Sequence, residues 1–176
     1  MGSLTEIRYG AKADVEEIAA LVNSAYRGES SKCGWTTEAD HLGGQRTDTG
    51  EVSKLIESAG SRFLLCIEAG SLVGVIHLEQ CGEDAKLGML AVRPDRQGSG
   101  FGKWLLDEAE RAAVKTFGAI KIKMAVLTVR TELIAYYKRR GYVHTGHFED
   151  FPVDPKFGIP KVSGLRFEWL EKLGKG

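Results

Sequence analysis

The chain has 176 residues, and its 24 basic and 24 acidic side chains give a formal net charge of zero. Without net charge or a basic run, nucleic acid and acidic membrane surfaces are not expected as partners. Glycine accounts for 22 of the 176 residues, well above its usual share of about 7% of a protein's residues. Because the chain has only 4 prolines and no G-X-Y repeat, this glycine content excludes collagen and argues against a disordered chain.

The first part of the chain predicts a strand, two helices and one long connection. The run Ile7-Arg8-Tyr9 predicts a short strand, and the apolar face that follows the N-cap residue Asp14 predicts a helix over 14–26. Residues 27–50 are polar and glycine-rich, and connections of this length are often functional. A short helix is expected over 51–59.

A β-meander and a second pair of helices follow. The β-rich runs 62–69 and 72–80 are separated by Gly70-Ser71, a two-residue hairpin signal, and 85–92 predicts a third strand. No repeat, linker or charge block divides the chain, so we expect one mixed α/β domain over 1–176. The remaining predicted elements are a helix over 103–117, a strand over 120–127, a helix over 131–140 that stops at Gly141, and strands over 142–148 and 165–170.

Cysteine content and hydropathy indicate the compartment. The three cysteines, Cys33, Cys66 and Cys81, form no CxxC pair, so neither a disulfide framework nor a zinc site is expected. No apolar stretch approaches the ~20 residues that a membrane span requires, and residues 1–10 lack an apolar signal core. We therefore expect a cytoplasmic protein with no membrane partner and no bound metal.

The glycine-rich segment 97–103, Gln-Gly-Ser-Gly-Phe-Gly-Lys, lies between a strand that ends at Val92 and the start of a helix. Glycines allow close approach of the backbone to a phosphate, and the N–H groups at a helix N-terminus attract anions. A P-loop does not fit, because Trp104 follows Lys103 and Gln97 occupies the first glycine position. A Rossmann fingerprint does not fit either, because the glycine spacing is wrong and no acidic residue ends the later strand.

Two motifs, in the right order, resemble the GNAT superfamily of N-acetyltransferases. Gln97-x-x-Gly100-x-Gly102 resembles the family's coenzyme A pyrophosphate motif, and Met89-Leu90-Ala91-Val92-Arg93-Pro94 resembles its fourth strand. The segment 135–142 resembles the family's later helix and strand, with a tyrosine four residues before a glycine. The resemblance implies an α/β fold with a central mixed, mostly antiparallel sheet of six to seven strands. About four helices would flank this sheet, which would be splayed between strands four and five.

The resemblance also implies an activity, namely transfer of an acetyl group from acetyl-CoA to a primary amine by direct attack in a ternary complex. The amine would belong to a small molecule or a protein. Tyr137 matches the family tyrosine that acts as general acid toward the leaving sulfur or holds it. The strand before the loop and the loop itself are expected to bind the cosubstrate, through Leu90, Ala91, Val92, Gln97, Gly98, Ser99, Gly100, Phe101, Gly102 and Lys103.

The chain departs from the family pattern at two positions. Many relatives carry a glutamate as general base on strand four, whereas Lys86 and Gly88 stand on that side here. Glu79 is the substitute base expected, acting through water, while Glu83 is more simply a solvated loop residue. Arg130 stands where relatives often have asparagine; it is assigned to the cosubstrate phosphates, with a substrate carboxylate or a plain helix start left open.

The acceptor side is predicted less specifically. Trp35, Glu38 and Arg46 in the long connection, together with His77 on the second meander strand, are the expected acceptor contacts. A homodimer is left open. So is a second function class, a domain of the same fold that binds acyl-CoA as a sensor or regulator without turnover.

Overall fold

The computed structural model describes residues 4–27, 31–32 and 37–175. The described strands are β1 (Thr5–Tyr9), β2 (Leu42–Gly43), β3 (Ser61–Glu68), β4 (Ser71–Cys81), β5 (Asp84–Val92), β6 (Lys121–Leu127), β7 (Val143–Asp150), β8 (Ile159–Pro160) and β9 (Arg166–Leu173). The described helices are α1 (Val15–Tyr26), α2 (Thr49–Glu57), α3 (Phe101–Phe117) and α4 (Thr131–Arg139). Each helix and strand predicted from the sequence is confirmed, with its ends shifted by a few residues. None of these helices is long and apolar enough to cross a membrane.

Seven of the described strands form one sheet in the order β1-β3-β4-β5-β6-β9-β7. Neighbours are antiparallel except β5 and β6, which run parallel and pair only at Ala85–Ile122 and Lys86–Lys123. Both strands are described throughout, so the rest of β5 has no partner in β6. The mostly antiparallel sheet and its splayed centre, as implied by the family resemblance, are confirmed.

Helices cover both faces of this sheet. On one face, α3 and α4 pack over a core that includes Leu78 of β4 and the fully buried Leu105 and Leu106 of α3. On the other face, α1 and α2 pack over a second core that includes Val22 and the β3 residue Leu65. Each fully buried leucine contributes roughly 2 kcal/mol through the hydrophobic effect. The two cores hold the splayed strands rigidly between them.

A small second sheet joins the two segments that the sequence leaves as loops. Leu42 pairs with Pro160 and Gly43 with Ile159, so β2 and β8 link the connection over 27–50 to the loop that follows β7. The Lys161 N–H also donates to a backbone carbonyl beside β2, at 2.8 Å. A ladder of two residues has no periodic pattern, which is why the sequence does not predict it.

Candidate active site

The site begins at a β-bulge in β5. The register between β4 and β5 shifts between Val75 and His77, and Met89 has a φ of +50°. A bulge redirects the side chains that follow it. Leu87 accordingly packs in the core under α3, whereas Met89 packs in the core under α1. The bulge therefore lies where β5 leaves β6, and it reshapes the strand at the splay.

Two carbonyl groups beyond the bulge are already bonded to side chains of the chain itself. The Tyr26 hydroxyl donates to the Leu90 carbonyl, and Gln97 Nε2 donates to the Val92 carbonyl at 3.1 Å. The predicted cosubstrate contacts of Leu90 and Val92 would therefore have to use their N–H groups or side chains. The Gln97 side chain serves here to fasten the glycine loop to β5.

The glycine loop ends in an uncapped helix. Gly98 and Gly100 have φ values of +83° and +85°, in the left-handed region that disfavours side chains, and a Cβ at either position would meet no atom within 4 Å. Phe101 begins α3 with no side-chain cap and no acidic residue in the first turn. By contrast, α2 is capped by Asp48, whose carboxylate accepts from the Glu51 N–H at 2.8 Å. The first N–H groups of α3 are thus left for an external anion.

A cavity of about 300 Å³, the loop cavity, opens over this helix start. Its described lining carries three basic side chains, Arg96, Lys103 and Arg140, and no acidic one. Arg140 stacks 3.4 Å from the ring centroid of Tyr136, which fixes its guanidinium in place. Arg96 and Arg140 are not among the residues predicted from the sequence, although Arg96 directly precedes the glycine motif and Arg140 lies within the segment 135–142. The full lining is Tyr26, Leu90, Val92, Arg96, Gln97, Gly98, Gly100, Gly102, Lys103, Leu133, Tyr136, Tyr137 and Arg140.

Some predicted cosubstrate contacts lie outside this lining. Ala91 is buried in the core under α1. Ser99 does not line the loop cavity, and Phe101 packs against the core with its ring 5.5 Å from the Arg96 guanidinium carbon. A contact through the backbone N–H of Ser99 or Phe101 remains a prediction.

A second cavity of about 340 Å³, the cleft, lies where β5 and β6 splay apart and is lined by residues of both strands and of all four helices. Glu38, Arg46, His77 and Glu79 all line it, so four predicted acceptor-side residues are brought together. Trp35 lies outside the described residues. Glu83 is exposed in the turn after β4 and does not line the cleft.

A buried ion-pair cluster forms one wall of the cleft. Glu38 Oε2 accepts from Arg27 Nε at 3.1 Å, and Glu38 Oε1 accepts from Arg130 Nη1 at 3.2 Å. Arg27 also donates to the Gln45 and Phe157 carbonyls, both at 3.2 Å, and its burial lowers its pKa. Both Glu38 oxygens are therefore occupied within the protein. Arg130 lines the cleft and not the loop cavity, so its position does not support the predicted phosphate contact.

His77 is buried beside the cleft and is neutral at pH 7. Its Nε2 lies 2.6 Å from the Ser61 hydroxyl, and its ring lies 4.8 Å from that of Phe63. Burial, with smaller contributions from Lys86 and Arg46, lowers the pKa of His77 to about 4. A histidine with such a pKa is a poor proton acceptor for an ammonium group, so its place in the wall indicates positioning.

The two cavities meet at four side chains that line both, namely Tyr26, Leu90, Leu133 and Tyr137. Leu133 and Tyr137 lie four residues apart on α4, so both project from the same face of that helix. Neither cavity has a Ser, Thr or Cys among its described lining residues. A molecule in one cavity could therefore contact a molecule in the other at this junction.

The Tyr137 hydroxyl differs from the hydroxyls of the buried Tyr26 and Tyr142 in its hydrogen bonding. Tyr26 donates to the Leu90 carbonyl and Tyr142 donates to a glutamate at 2.8 Å, whereas no described residue hydrogen-bonds the Tyr137 hydroxyl. Burial, reinforced by Tyr26 and Tyr136, raises the pKa of Tyr137 far above its usual range. Buried polar groups normally have partners, so this one is available to a ligand.

Metal ligands are not clustered in the part of the chain that the structure describes. No three His, Cys, Asp or Glu side chains among those residues come close enough to hold an ion.

Comparisons with known proteins agree with this architecture. The model of the acetyltransferase (GNAT) family matches residues 16–142. A chimera of the spermidine N-acetyltransferase from Vibrio cholerae and hSSAT is similar in structure, with a TM-score of 0.68, 18% identity, and coverage of 97% of this chain and 95% of that one. A ribosomal-protein-alanine N-acetyltransferase from Brucella melitensis gives a TM-score of 0.71, 19% identity, and coverage of 96% and 99%. An N-acetyltransferase from Staphylococcus aureus gives a TM-score of 0.72 and 15% identity, with coverage of 97% of each chain. No curated protein matches the sequence significantly.

Proposed function

The chain belongs to the GNAT family of acetyltransferases, and on that premise we propose that it transfers an acetyl group from acetyl-CoA to a primary amine. The observation that carries this proposal is Tyr137, a buried side chain at the junction of the loop cavity and the cleft whose hydroxyl no described residue hydrogen-bonds. The names of two structural relatives, a spermidine and a ribosomal-protein N-acetyltransferase, support an amine as acceptor.

The loop cavity fits the coenzyme A moiety. The uncapped α3 N-terminus and Arg140 complement a pyrophosphate, while Arg96 and Lys103 line the same cavity with Glu68 and Asp107 as their carboxylate partners. The open space over Gly98 and Gly100 lets an anion approach the backbone closely. The unpaired edge of β5 would accept the amide-bearing pantetheine arm as an added strand does, with Leu90 and Val92 offering N–H groups. In this arrangement the arm runs from the loop toward the junction.

The cleft would hold the acceptor, and transfer would be direct. Acetyl-CoA supplies a thioester whose carbonyl carbon is attacked by the amine nitrogen, and the carbon–sulfur bond breaks to release a thiolate. Direct attack makes the amine itself the nucleophile and requires both substrates to be bound together, and the absence of a Ser, Thr or Cys from the described lining of both cavities supports it. Initial-rate plots with both substrates varied should intersect; parallel lines would contradict a ternary complex.

Tyr137 would act on the departing sulfur. A free thiol has a pKa of about 8.5, well below the raised pKa of Tyr137, so complete proton transfer from the phenol to the thiolate is unfavourable. Of the two roles open from the sequence, the structure favours the second: Tyr137 keeps its proton and stabilises the developing thiolate by donating a hydrogen bond. The proton that ends on sulfur would then come from the amine or from solvent.

The base that takes the amine proton is proposed to be Glu79, through water. Glu79 lines the cleft, is half-buried, and lies opposite Lys86 in the β4–β5 ladder. Glu79 lies beyond the bulge on β4, and a bridging water would carry the proton to it. A Glu79→Gln variant should lower kcat most at low pH, where less of the amine is already neutral.

Thiol release from acetyl-CoA, measured with a panel of primary amines, tests the function. Release that depends on the amine and yields the acetylated product supports the enzyme. Tight acetyl-CoA binding by calorimetry, without release for any amine, would instead support a sensor. That alternative is favoured by one feature, the presence of Gly88 in place of an acid on the β5 wall of the cleft.

A further inference from the structure

One buried cation in the cleft lacks part of its hydrogen bonding. Arg130 is only 8% exposed, and its Nη2 has no hydrogen-bond partner in the described structure. Its Nη1 is engaged by Glu38, whose second oxygen is held by Arg27. Buried guanidinium N–H groups are normally paired, so an unpaired one in a cavity wall indicates a missing anionic or carbonyl partner.

The buried charge of this wall is positive. Two buried arginines, Arg27 and Arg130, face a single buried carboxylate, Glu38, so the cluster carries one excess positive charge. Arg27 is satisfied by Glu38 and by backbone carbonyls, so Arg130 is the member with donor capacity left. A ligand that supplies one negative charge here would balance the cluster.

Arg130 is placed to reach a ligand that also reaches the junction. It is the N-cap residue of α4 and precedes Leu133 and Tyr137 by three and seven residues, which corresponds to about 10 Å along the helix axis between Arg130 and Tyr137, and all three line the cleft. The guanidinium carbon lies 5.8 Å from the ring centroid of Tyr26, which lines the junction. A short acceptor could thus bind Arg130 at one end and present its amine at the other.

The acidic residues of the cleft lie elsewhere. Glu149 is about half exposed and interacts with His147, Glu51 accepts from the Thr47 hydroxyl, and Glu79 pairs across the ladder with Lys86. None of these is as buried as Glu38. Among the described residues that line the cleft, Glu38 is therefore the one buried carboxylate near Arg130, and it is shared with Arg27.

We propose that Arg130 binds a carboxylate of the acceptor, so that the preferred substrates are primary amines that also carry a carboxylate. This inference rests on the proposed function and specifies its substrate class. A second amine, as in a polyamine, would bring a positive charge against Arg130 and would be disfavoured. The carboxylate would accept from Nη2 in a charge-assisted hydrogen bond.

Matched acceptors test this directly. Thiol release is measured at saturating acetyl-CoA for amino acids with one to five carbons between amine and carboxylate, for their carboxamides, and for the amines that lack the carboxylate. The best amino acid should exceed its carboxamide and its decarboxylated amine by roughly 10- to 100-fold in kcat/KM. Equal values, or a preference for diamines, would overturn the inference.

Variants assign the preference to Arg130. Arg130→Gln should abolish the discrimination, and Arg130→Lys should retain part of it. Arg111→Gln, at an exposed position on α3 that lines neither cavity, should leave the discrimination intact. If Arg130→Gln instead raises only the KM for acetyl-CoA and keeps the discrimination, Arg130 serves the cosubstrate and the inference is wrong. Should that variant fold poorly, the wild-type panel still decides.

The two proposals fail separately. If no amine gives thiol release while acetyl-CoA still binds, the proposed function is wrong. If amines are acetylated without regard to a carboxylate, the function stands and the role of Arg130 is refuted.

Discussion

Replacing Tyr137 with phenylalanine should separate catalysis from stability. The Tyr137 hydroxyl is buried, yet no described residue bonds it, so its loss removes no internal hydrogen bond. We expect the free energy of unfolding of Tyr137→Phe to stay within about 0.5 kcal/mol of the wild-type value. Loss of a donor to the leaving sulfur should lower kcat by roughly 100-fold or more, with little change in the Kd for acetyl-CoA.

Tyr142 provides the matched control. It is equally buried and its ring contacts that of Tyr137, but it lines neither cavity and its hydroxyl donates to Glu110 at 2.8 Å. A hydrogen bond to a charged group contributes about 1.5–3 kcal/mol. Because Lys172 also binds Glu110 at 2.8 Å and would still neutralise it, we expect a loss near 1.5 kcal/mol for Tyr142→Phe. That loss corresponds to a fall in Tm of about 3–6 °C, with kcat retained.

Thermal unfolding and thiol release on the two variants give opposite patterns if the reasoning holds. Tyr137→Phe should keep the wild-type stability but have a low kcat, whereas Tyr142→Phe should be less stable but keep the wild-type kcat. The activity assays are run well below the Tm of either variant. Unchanged turnover in Tyr137→Phe would remove this hydroxyl from the mechanism. An equal loss of stability in both variants would show that the Tyr137 hydroxyl has an internal partner after all.

Three further variants test the loop, the buried histidine and the ion-pair cluster. Gly100 has a φ of +85°, so Gly100→Ala should lower the free energy of unfolding by about 1–2 kcal/mol in thermal unfolding and should weaken acetyl-CoA binding in calorimetry. Gly102 has no positive φ, so Gly102→Ala should leave the free energy of unfolding unchanged. The pKa of His77 is about 4 when folded against about 6.5 unfolded, so the unfolded state binds the extra proton between these values. Stability should therefore fall by up to about 3 kcal/mol as pH drops from 6.5 to 4, and His77→Gln should lack this part of the pH dependence in denaturant titrations. Glu38→Ala leaves Arg27 and its neighbouring arginine without their shared carboxylate and should cost about 3–5 kcal/mol by urea unfolding; a loss below 1 kcal/mol would mean that the cluster is solvated.

The sequence predicts what local chemistry determines. Helix and strand bounds follow from periodicity and from turn residues, and the positive φ values at Gly98 and Gly100 show why glycine stands at those two positions of the loop. Tyr137 was found through the motif that ends at Gly141, because the two are only four residues apart. In each case the information lies within a few residues of the feature it specifies.

The acceptor side depends instead on contacts between distant residues. Glu38 and Arg130 are 92 positions apart, and Arg27 reaches a carbonyl 130 positions away, at Phe157. Sequence alone placed Glu38 on an acceptor wall, but it could not show that both of its oxygens are consumed by arginines. The charge of the preferred substrate is selected by the charged groups that are left without an internal partner, and only the folded structure shows which groups these are. The donor left over at Arg130 is therefore the feature from which the acceptor class is best inferred: the sequence leaves phosphate, substrate carboxylate and helix start open for this residue, and its unpaired Nη2 in the folded chain favours the carboxylate.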